Sequence, residues 1–176
     1  TTYYFDAETG DDENDGLTEN TPKRTLAEAS KIAKLSSATV AVRILLKAGQ
    51  RHDGNLILSE FAANEETPLI VDKYPQNASA LPVLDAEGNV VTVSVGNVRL
   101  YNLEVTGQDA YRGIWCVPEK CGALKNVVVE GCYVHDVNFR WTDAREAKDV
   151  IPDELDLEAI CPEYQEDGVT KGRYFY

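Results

Sequence analysis

The sequence predicts an all-β fold in which short strands stack along one axis, a parallel β-helix, with one short α-helix at its N-terminal end. Asn97 and Asn126 each open a similar apolar run, and the two residues lie 29 positions apart. Leu69 lies another 29 positions before Val98, and no helical stretch separates the runs. Strands that recur at one period, each too short to bury its own face, are typical of a solenoid.

The same comparison predicts how the strands align between coils. We expect strands at Leu69, Val98 and Val127 to lie in parallel register, with Leu100 and Val129 facing the core at equivalent positions. Shorter runs at residues 56–58, 83–84 and 113–117 recur at about 27 and 30 positions and predict a second strand in each coil. A β-sandwich of short, regularly spaced strands is the alternative that the composition permits.

The N-terminal residues predict a cap for the open end of this stack. An aromatic strand at 3–5 leads into an acidic loop. From Thr25 to Leu35, apolar residues at helical spacing predict an amphipathic helix that covers the first coil. The 176 residues suit a single domain. Its predicted parts are the cap strand, acidic loop and capping helix at 1–36, the first coils at 37–138, and an acidic insertion with the start of a further coil at 139–176.

The acidic loop at residues 6–16 supports two interpretations. Asp12, Asn14 and Asp15 offer carboxylate and amide oxygens, the ligands that Ca²⁺ prefers, and they predict a calcium site. The alternative is a solvated turn, because Gly, Asp and Asn favour turn geometry. The spacing does not match an EF-hand loop, so the sequence leaves both interpretations open.

The composition excludes some classes of partner. The net charge of −13 argues against nucleic acid, because phosphate contacts need clustered Lys and Arg. An anionic polymer would need a local basic patch or a bound cation. No run approaches the roughly 18 apolar residues of a membrane helix, so no membrane span is predicted. Cys116 and Cys132 lie within strand patterns and are predicted to be core residues.

Three segments carry a resemblance to a known family of proteins. They read Y-Y-F-D-A-E-T-G-D-D-E-N-D-G-L-T-E-N-T-P-K-R-T-L-A-E-A, V-R-I-L-L-K-A-G-Q-R-H-D-G and C-Y-V-H-D-V. Together they resemble secreted right-handed parallel β-helix proteins of the pectate-lyase-like superfamily, over residues 3–138. The resemblance implies a right-handed helix. It does not fix the reaction, because lyases, glycosidases and epimerases share this fold.

The resemblance also implies a function. Most members are glycoside hydrolases or polysaccharide lyases that act on a polysaccharide or oligosaccharide, many lyases with Ca²⁺ as cofactor. The implied protein is secreted, periplasmic or on the cell surface. This chain would be its N-terminal portion, so we expect the chain alone to be inactive. The alternatives are a non-catalytic β-helix module that binds glycan or acts as a spacer, and a phage-tail or adhesin-like β-helix. The sugar, its linkage and the oligomeric state stay open.

The candidate site residues lie in and after the last strand patterns. Tyr111, Arg112 and Trp141 are candidate glycan contacts, because carbohydrate sites combine aromatic platforms with Arg and carboxylates. Asp136 and Asp143 are candidates for the two carboxylates that a glycosidase needs, with His135 as a proton carrier. The alternatives are a surface turn at Arg112 and, at His135 and Asp136, a turn that bonds to its own backbone.

Overall fold

Parallel strands in three sheets form most of the fold, and one short helix lies near the N terminus. The computed structural model describes residues 1–119 and 122–137. The elements are β1 (Thr2–Phe5), α1 (Leu26–Ala33), β2 (Arg43–Lys47), β3 (Arg51–Asp53), β4 (Leu56–Leu58), β5 (Leu69–Tyr74), β6 (Val83–Asp85), β7 (Gly88–Val93), β8 (Val98–Tyr101), β9 (Glu104–Gly107), β10 (Ala110–Cys116), β11 (Val127–Glu130) and β12 (Tyr133–Val137). All pairs among these strands are parallel, as in a parallel β-helix, which argues against the β-sandwich alternative.

The first sheet has the strand order β1-β2-β5-β8-β11 and confirms the predicted register. Leu69 pairs with Val98, and Val98 pairs with Val127. Leu100 is fully buried and pairs with Val129, as expected from the 29-residue period. Val129 is nevertheless 46% exposed, because β11 is the last strand of this sheet in the described part of the chain. The alignment is therefore confirmed, whereas burial of Val129 is not.

The prediction of one shorter strand set is wrong, because these runs belong to two different sheets. The second sheet has the order β12-β9-β6-β3, and the third has the order β10-β7-β4. Residues 83–84 belong to the second sheet, whereas 56–58 and 113–116 belong to the third. The spacing in the second sheet is uneven, since His52 pairs with Leu84, which in turn pairs with Val105 only 21 positions later. The coils therefore have a third strand, and a search for one constant period does not detect it because the corners between the strands differ in length.

Helix α1 covers the open edge of the third sheet, at β4. Thr25 is the N-cap, and its side chain accepts a hydrogen bond from the backbone N–H of Glu28. The helix buries its apolar side chains against the first coil, namely Leu26, Ala29, Ile32 and Ala33. The Ser30 hydroxyl accepts the backbone N–H of Ile57 at 2.9 Å, so the helix also satisfies a donor of this edge strand. The predicted helix is confirmed, though it ends two residues before Leu35.

The buried Asp6 carboxylate fastens the acidic loop to the first coil. It accepts hydrogen bonds from Lys47 Nζ at 2.7 Å, from Gln50 Nε2 at 2.9 Å and from the backbone N–H groups of Glu8 and Thr9. Burial raises the pKa of this carboxyl, but the hydrogen bonds outweigh burial and hold the pKa far below its usual value. Asp6 therefore stays ionised and ties the residues after β1 to the corner between β2 and β3.

Stacked asparagines mark one corner of the coils. Asn97 and Asn126 both adopt positive φ, of 58° and 55°, a conformation that Asn tolerates better than most residues. The Asn126 side chain donates to Asn97 Oδ1 at 2.9 Å, and Asn97 donates to the carbonyl of Ala63 at 2.8 Å. The 29-residue spacing of the two asparagines thus has a physical reason, because it lets the Asn126 side chain bond directly to Asn97.

The core runs between the three sheets and is aliphatic apart from Phe5. Cys132 packs against this core as predicted, but Cys116 is exposed and its core prediction is wrong. Cys116 ends β10, which is the edge strand of the third sheet in the described residues. Over those residues, no helix has the length and apolar character needed to cross a bilayer.

Candidate functional site

An open cleft lies across the outer face of the second sheet, with a volume of about 620 Å³. The polar side chains that line it include Arg51 of β3, Asp85 of β6, Glu104 and Thr106 of β9, and His135 and Asp136 of β12. Successive strand residues alternate between the two faces of a sheet. His52, Leu84 and Val105 accordingly point inward and are buried, which leaves their polar neighbours facing the cleft. We call this feature the four-strand cleft.

Arg51 and Asp85 form an ion pair at one end of the four-strand cleft. The Arg51 Nε atom also bonds to Asp53 Oδ1 at 3.0 Å. Parallel register places Asp85 beside Thr106 of the next coil. Adjacent parallel strands are about 4.8 Å apart. Side chains on two neighbouring strands are therefore close enough to contact the same sugar ring.

His135 connects two carboxylates at the other end of the four-strand cleft. Its Nε2 atom lies 2.9 Å from Glu104 Oε1, and its Nδ1 atom lies 2.8 Å from Asp136 Oδ2. The hydrogen bonds to Asp136 and Glu104 raise the pKa of the imidazole above its usual value. Glu104 and His135 belong to neighbouring coils, so this contact also links β9 to β12.

An irregularity in β12 brings His135 and Asp136 onto the same side of the sheet. Consecutive residues of a regular strand face opposite sides. The register of β12 shifts between Val134 and Val137, and Asp136 has a φ of 50°. Bulges of this kind redirect side chains and are frequent next to functional sites. A non-glycine residue at positive φ costs about 1–3 kcal/mol, which the surrounding contacts must offset.

Tyr133 adds an aromatic surface beside the cleft. Its ring stacks on the His135 imidazole, with the ring centroids 4.4 Å apart and the planes at 21°. The side chain is 58% exposed, so part of it is accessible to a ligand. Aromatic faces next to fixed carboxylates suit a sugar, because its C–H groups and hydroxyl groups point in different directions.

The structure separates the residues that the sequence proposed as site candidates. His135 and Asp136 line the four-strand cleft, and Asp136 bonds to the His135 side chain. Tyr111 and Arg112 lie on β10 of the third sheet, away from this cleft. Arg112 stacks over the Trp115 ring at 4.6 Å and bonds to Asn89 at 3.3 Å. Trp141 and Asp143 lie outside the described residues.

Three charged cleft residues were missed by sequence reasoning, namely Arg51, Asp85 and Glu104. Each is a charged residue at an outward position of a short strand, which is common on any protein surface. The signal that brings them together is the register of β3, β6 and β9. Recognising this signal would have required the second sheet to be found first.

The acidic loop is held together by its own hydrogen bonds. The Asp12 carboxylate accepts from the backbone N–H groups of Arg24 and Thr25 and from the Thr25 hydroxyl, at 2.7–3.0 Å. Asp15 accepts from Leu17 and Thr21, and the Asn14 side chain donates to Pro22. In residues 1–119 and 122–137, no group of three His, Cys, Asp or Glu side chains is arranged to hold a metal ion. The calcium site stays a prediction.

Replacing Asp12 with alanine is expected to lower the free energy of unfolding by about 1.5 kcal/mol, because three hydrogen bonds to a charged acceptor are lost. We expect the same loss in excess Ca²⁺ and in chelator, measured by urea unfolding. The matched control is Glu13→Ala, which removes an exposed carboxylate from the same loop. A loss that appears only with Ca²⁺ would instead support the calcium site.

The cleft can bind and orient a polar, uncharged ligand. Its carboxylates accept hydrogen bonds, and the Arg51 guanidinium donates them. Two of the carboxylates, Asp85 and Glu104, lie on adjacent strands. Acid/base cleavage of a glycosidic bond needs two carboxyl groups roughly 5–9.5 Å apart, a range that neighbouring strands span.

Comparisons with known proteins give both sequence and structural matches. The chain is 24% identical over 194 residues to a lacto-N-biosidase of Bifidobacterium longum subsp. longum, covering 78% of this chain and 12% of that protein. Two crystal structures of a GH136 lacto-N-biosidase from Eubacterium ramulus match the fold with TM-scores of 0.66 and 0.64. Each is 20% identical and covers 77% of this chain and 27% of that chain. No protein-family model matches the chain.

These relatives are much longer than the chain, which spans 12% of the curated relative and 27% of the solved structures. The structural match supports a shared fold of parallel β-sheets. The resemblance to the pectate-lyase-like superfamily is not confirmed. The sequence match is to a lacto-N-biosidase, and the structural matches, at 20% identity, show the fold alone.

Proposed function

We propose that this chain is part of a glycoside hydrolase that acts on oligosaccharides, and that the four-strand cleft contacts the glycan. The fold proposed for it is a right-handed parallel β-helix closed by α1. The protein would act outside the cytoplasm, as a secreted, periplasmic or cell-surface enzyme.

The observation that carries this proposal is the four-strand cleft itself. Sugar recognition needs hydrogen-bond acceptors and donors at fixed positions, next to an apolar surface. Asp85 and Glu104 supply acceptors, Arg51 supplies donors, and Tyr133 supplies a partly exposed aromatic ring beside them. Strands hold all four, and strands position side chains more accurately than mobile loops do.

The reaction class rests on the sequence similarity to the lacto-N-biosidase. Because the chain spans a small part of that relative, we propose that further coils complete the catalytic centre. Misplacing a reacting group by roughly 1 Å can cost about a hundredfold in rate, so an edge of the site is not enough for turnover. The described residues would then bind one end of the glycan.

A non-catalytic glycan-binding module is the second candidate, and one observation favours it. The two acceptor carboxylates already have a partner each, since Asp85 pairs with Arg51 and Glu104 bonds to His135. Carboxylates held in this way suit a static hydrogen-bonding surface. A general acid or base must instead exchange its proton during the reaction.

The test compares residues 1–176 with the full natural reading frame that contains them. Hydrolysis is followed by chromatography of neutral and acidic oligosaccharides, and binding by calorimetry. We expect hydrolysis by the full product alone, and weak binding by both. The variant Glu104→Gln should weaken binding, whereas the loop variant Glu13→Gln should not. Binding without hydrolysis by the full product would favour the module, and the absence of both would overturn the proposal.

A further inference from the structure

We infer that His135 is a positioning residue, which in its imidazolium form bridges Asp136 and Glu104 and holds the Glu104 carboxylate toward glycan in the four-strand cleft. The glycan part of this inference rests on the proposed function, whereas the bridge rests on the geometry alone. Glu104 is the residue that contacts the sugar, and His135 acts through it.

The bridge requires a proton on both ring nitrogens. A neutral imidazole has one N–H donor and one acceptor nitrogen. In this structure both nitrogens face carboxylate oxygens, at 2.8 Å and 2.9 Å. Ionised carboxylates only accept hydrogen bonds. In a neutral ring, the nitrogen without a proton would therefore face a carboxylate oxygen with no hydrogen between them. The imidazolium form satisfies both contacts with charge-assisted hydrogen bonds.

The backbone of β12 is shaped for this bridge. Asp136 reaches the ring of its own neighbour because it has a φ of 50° and the strand register shifts around it. A regular strand would direct the Asp136 carboxylate to the opposite face, where it could not meet Nδ1. The Tyr133 ring stacks on the imidazole at 4.4 Å and limits its rotation. The contacts with Asp136, Glu104 and Tyr133 therefore fix the plane of the His135 ring, and the ring in turn holds the Glu104 carboxylate in place.

The charges around His135 favour the imidazolium. The charged groups that line the cleft around His135 are Asp136 of β12, Glu104 of β9, Asp85 of β6 and Arg51 of β3, and the Tyr133 ring stacks on the imidazole. Arg51 opposes a second cation, but it is paired with Asp85. The hydrogen bonds to Asp136 and Glu104 raise the imidazole pKa from its usual value of 6.5.

The raised pKa of His135 determines how the bridge depends on pH. A raised pKa in the folded chain means that the bridge is complete below the unfolded pKa of about 6.5. The bridge is lost as the pH rises through the folded pKa. Once the proton leaves, a ring lone pair faces a carboxylate, and Glu104 is no longer held. Glycan binding should therefore weaken as the pH rises through that value.

The first measurement is the pH titration of the two imidazole rings by ¹⁵N NMR in the full chain. The sequence has two histidines, His52 and His135. Burial lowers the pKa of His52, so the two rings titrate in opposite directions from the usual value and are told apart. We expect both nitrogens of His135 to be protonated at pH 6.5, with titration above that of a free imidazole.

Variants define which groups hold the proton. Glu104→Gln and Asp136→Asn should each lower the His135 pKa, and Asn keeps the tolerance for positive φ. Glu13→Gln in the distant loop is the matched control and should leave the titration unchanged. A His135 ring that carries one proton at pH 6.5, or a titration that neither variant moves, would overturn the bridge.

The second measurement tests positioning through binding of lacto-N-biose, the disaccharide in the relatives' name, with maltose as the comparison sugar. We expect the wild-type affinity for a bound sugar to fall about tenfold as the pH rises through the His135 titration, a loss typical of one charged hydrogen bond. His135→Gln should bind weakly at every pH, with a flat profile. A flat wild-type profile would overturn the positioning role. No binding of either sugar, with the NMR bridge intact, would count against the proposed function and against positioning, but not against the bridge.

Discussion

Replacing Leu26 with aspartate is expected to lower the free energy of unfolding by more than about 4 kcal/mol, which is a large share of the stability of a single domain. Leu26 is 1% exposed, in the first turn of α1, and it packs into the core cluster. A carboxylate there has no partner, so it must take up a proton or expel the helix from the end of the coil. Loss of α1 would also leave the Ile57 N–H without the Ser30 hydroxyl.

The matched control lies one residue further along the same helix. Ala27 is exposed, so Ala27→Asp introduces the same charge near the helix N terminus without burying it. Urea unfolding followed by circular dichroism should give a much lower midpoint for Leu26→Asp and for Ile32→Asp than for Ala27→Asp. Equal midpoints for all three variants would show that α1 does not cap the stack.

Replacing Gly10 with alanine is expected to lower the free energy of unfolding by about 3 kcal/mol, the upper range for overpacking a tight site. An added Cβ would lie 2.2 Å from the carbonyl oxygen of Lys23 and 2.4 Å from that of Asp6. Both are backbone atoms, so neither can swing away as a side chain would. Relieving the clash must move the strand that ends at Phe5 or the loop that leads to Thr25.

Gly88→Ala separates this steric effect from backbone preference. Gly88 has a φ of 71°, and an added Cβ meets nothing within 4 Å. Gly88→Ala should therefore lower the free energy of unfolding by only about 1–2 kcal/mol, because alanine is strained in the left-handed conformation. Thermal unfolding of both variants checks the difference. A smaller loss for Gly10→Ala than for Gly88→Ala would show that the loop is not packed as described.

The sequence predicted the first sheet because its period is constant there. Leu69, Val98 and Val127 are spaced evenly and pair as expected. The helix was equally visible, since its apolar positions face one side and Thr25 caps it. Both features depend on residues close in sequence or on one repeated interval, and a pattern search detects these well.

The second sheet and the candidate site could not be found in the same way. Arg51, Asp85 and Glu104 meet because hydrogen bonds align their strands, while the corners between those strands differ in length. His135 and Asp136 stood out as the end of a strand, but their joint orientation depends on one positive φ. A backbone angle at a single bulge leaves no mark in composition or period.

The uneven corners have an evolutionary consequence. His52 and Leu84 are 32 positions apart, Leu84 and Val105 are 21 apart, and yet each pair occupies equivalent places in neighbouring coils. Lengthening a loop whose ends are already held costs little, because closure entropy grows slowly with loop length. Insertions at such corners can therefore accumulate and be selected while the strand stack stays intact. Proteins that share these coils can therefore change the ligand that their corners recognise without changing the core. Directed evolution of binding should begin by varying the lengths of the corners.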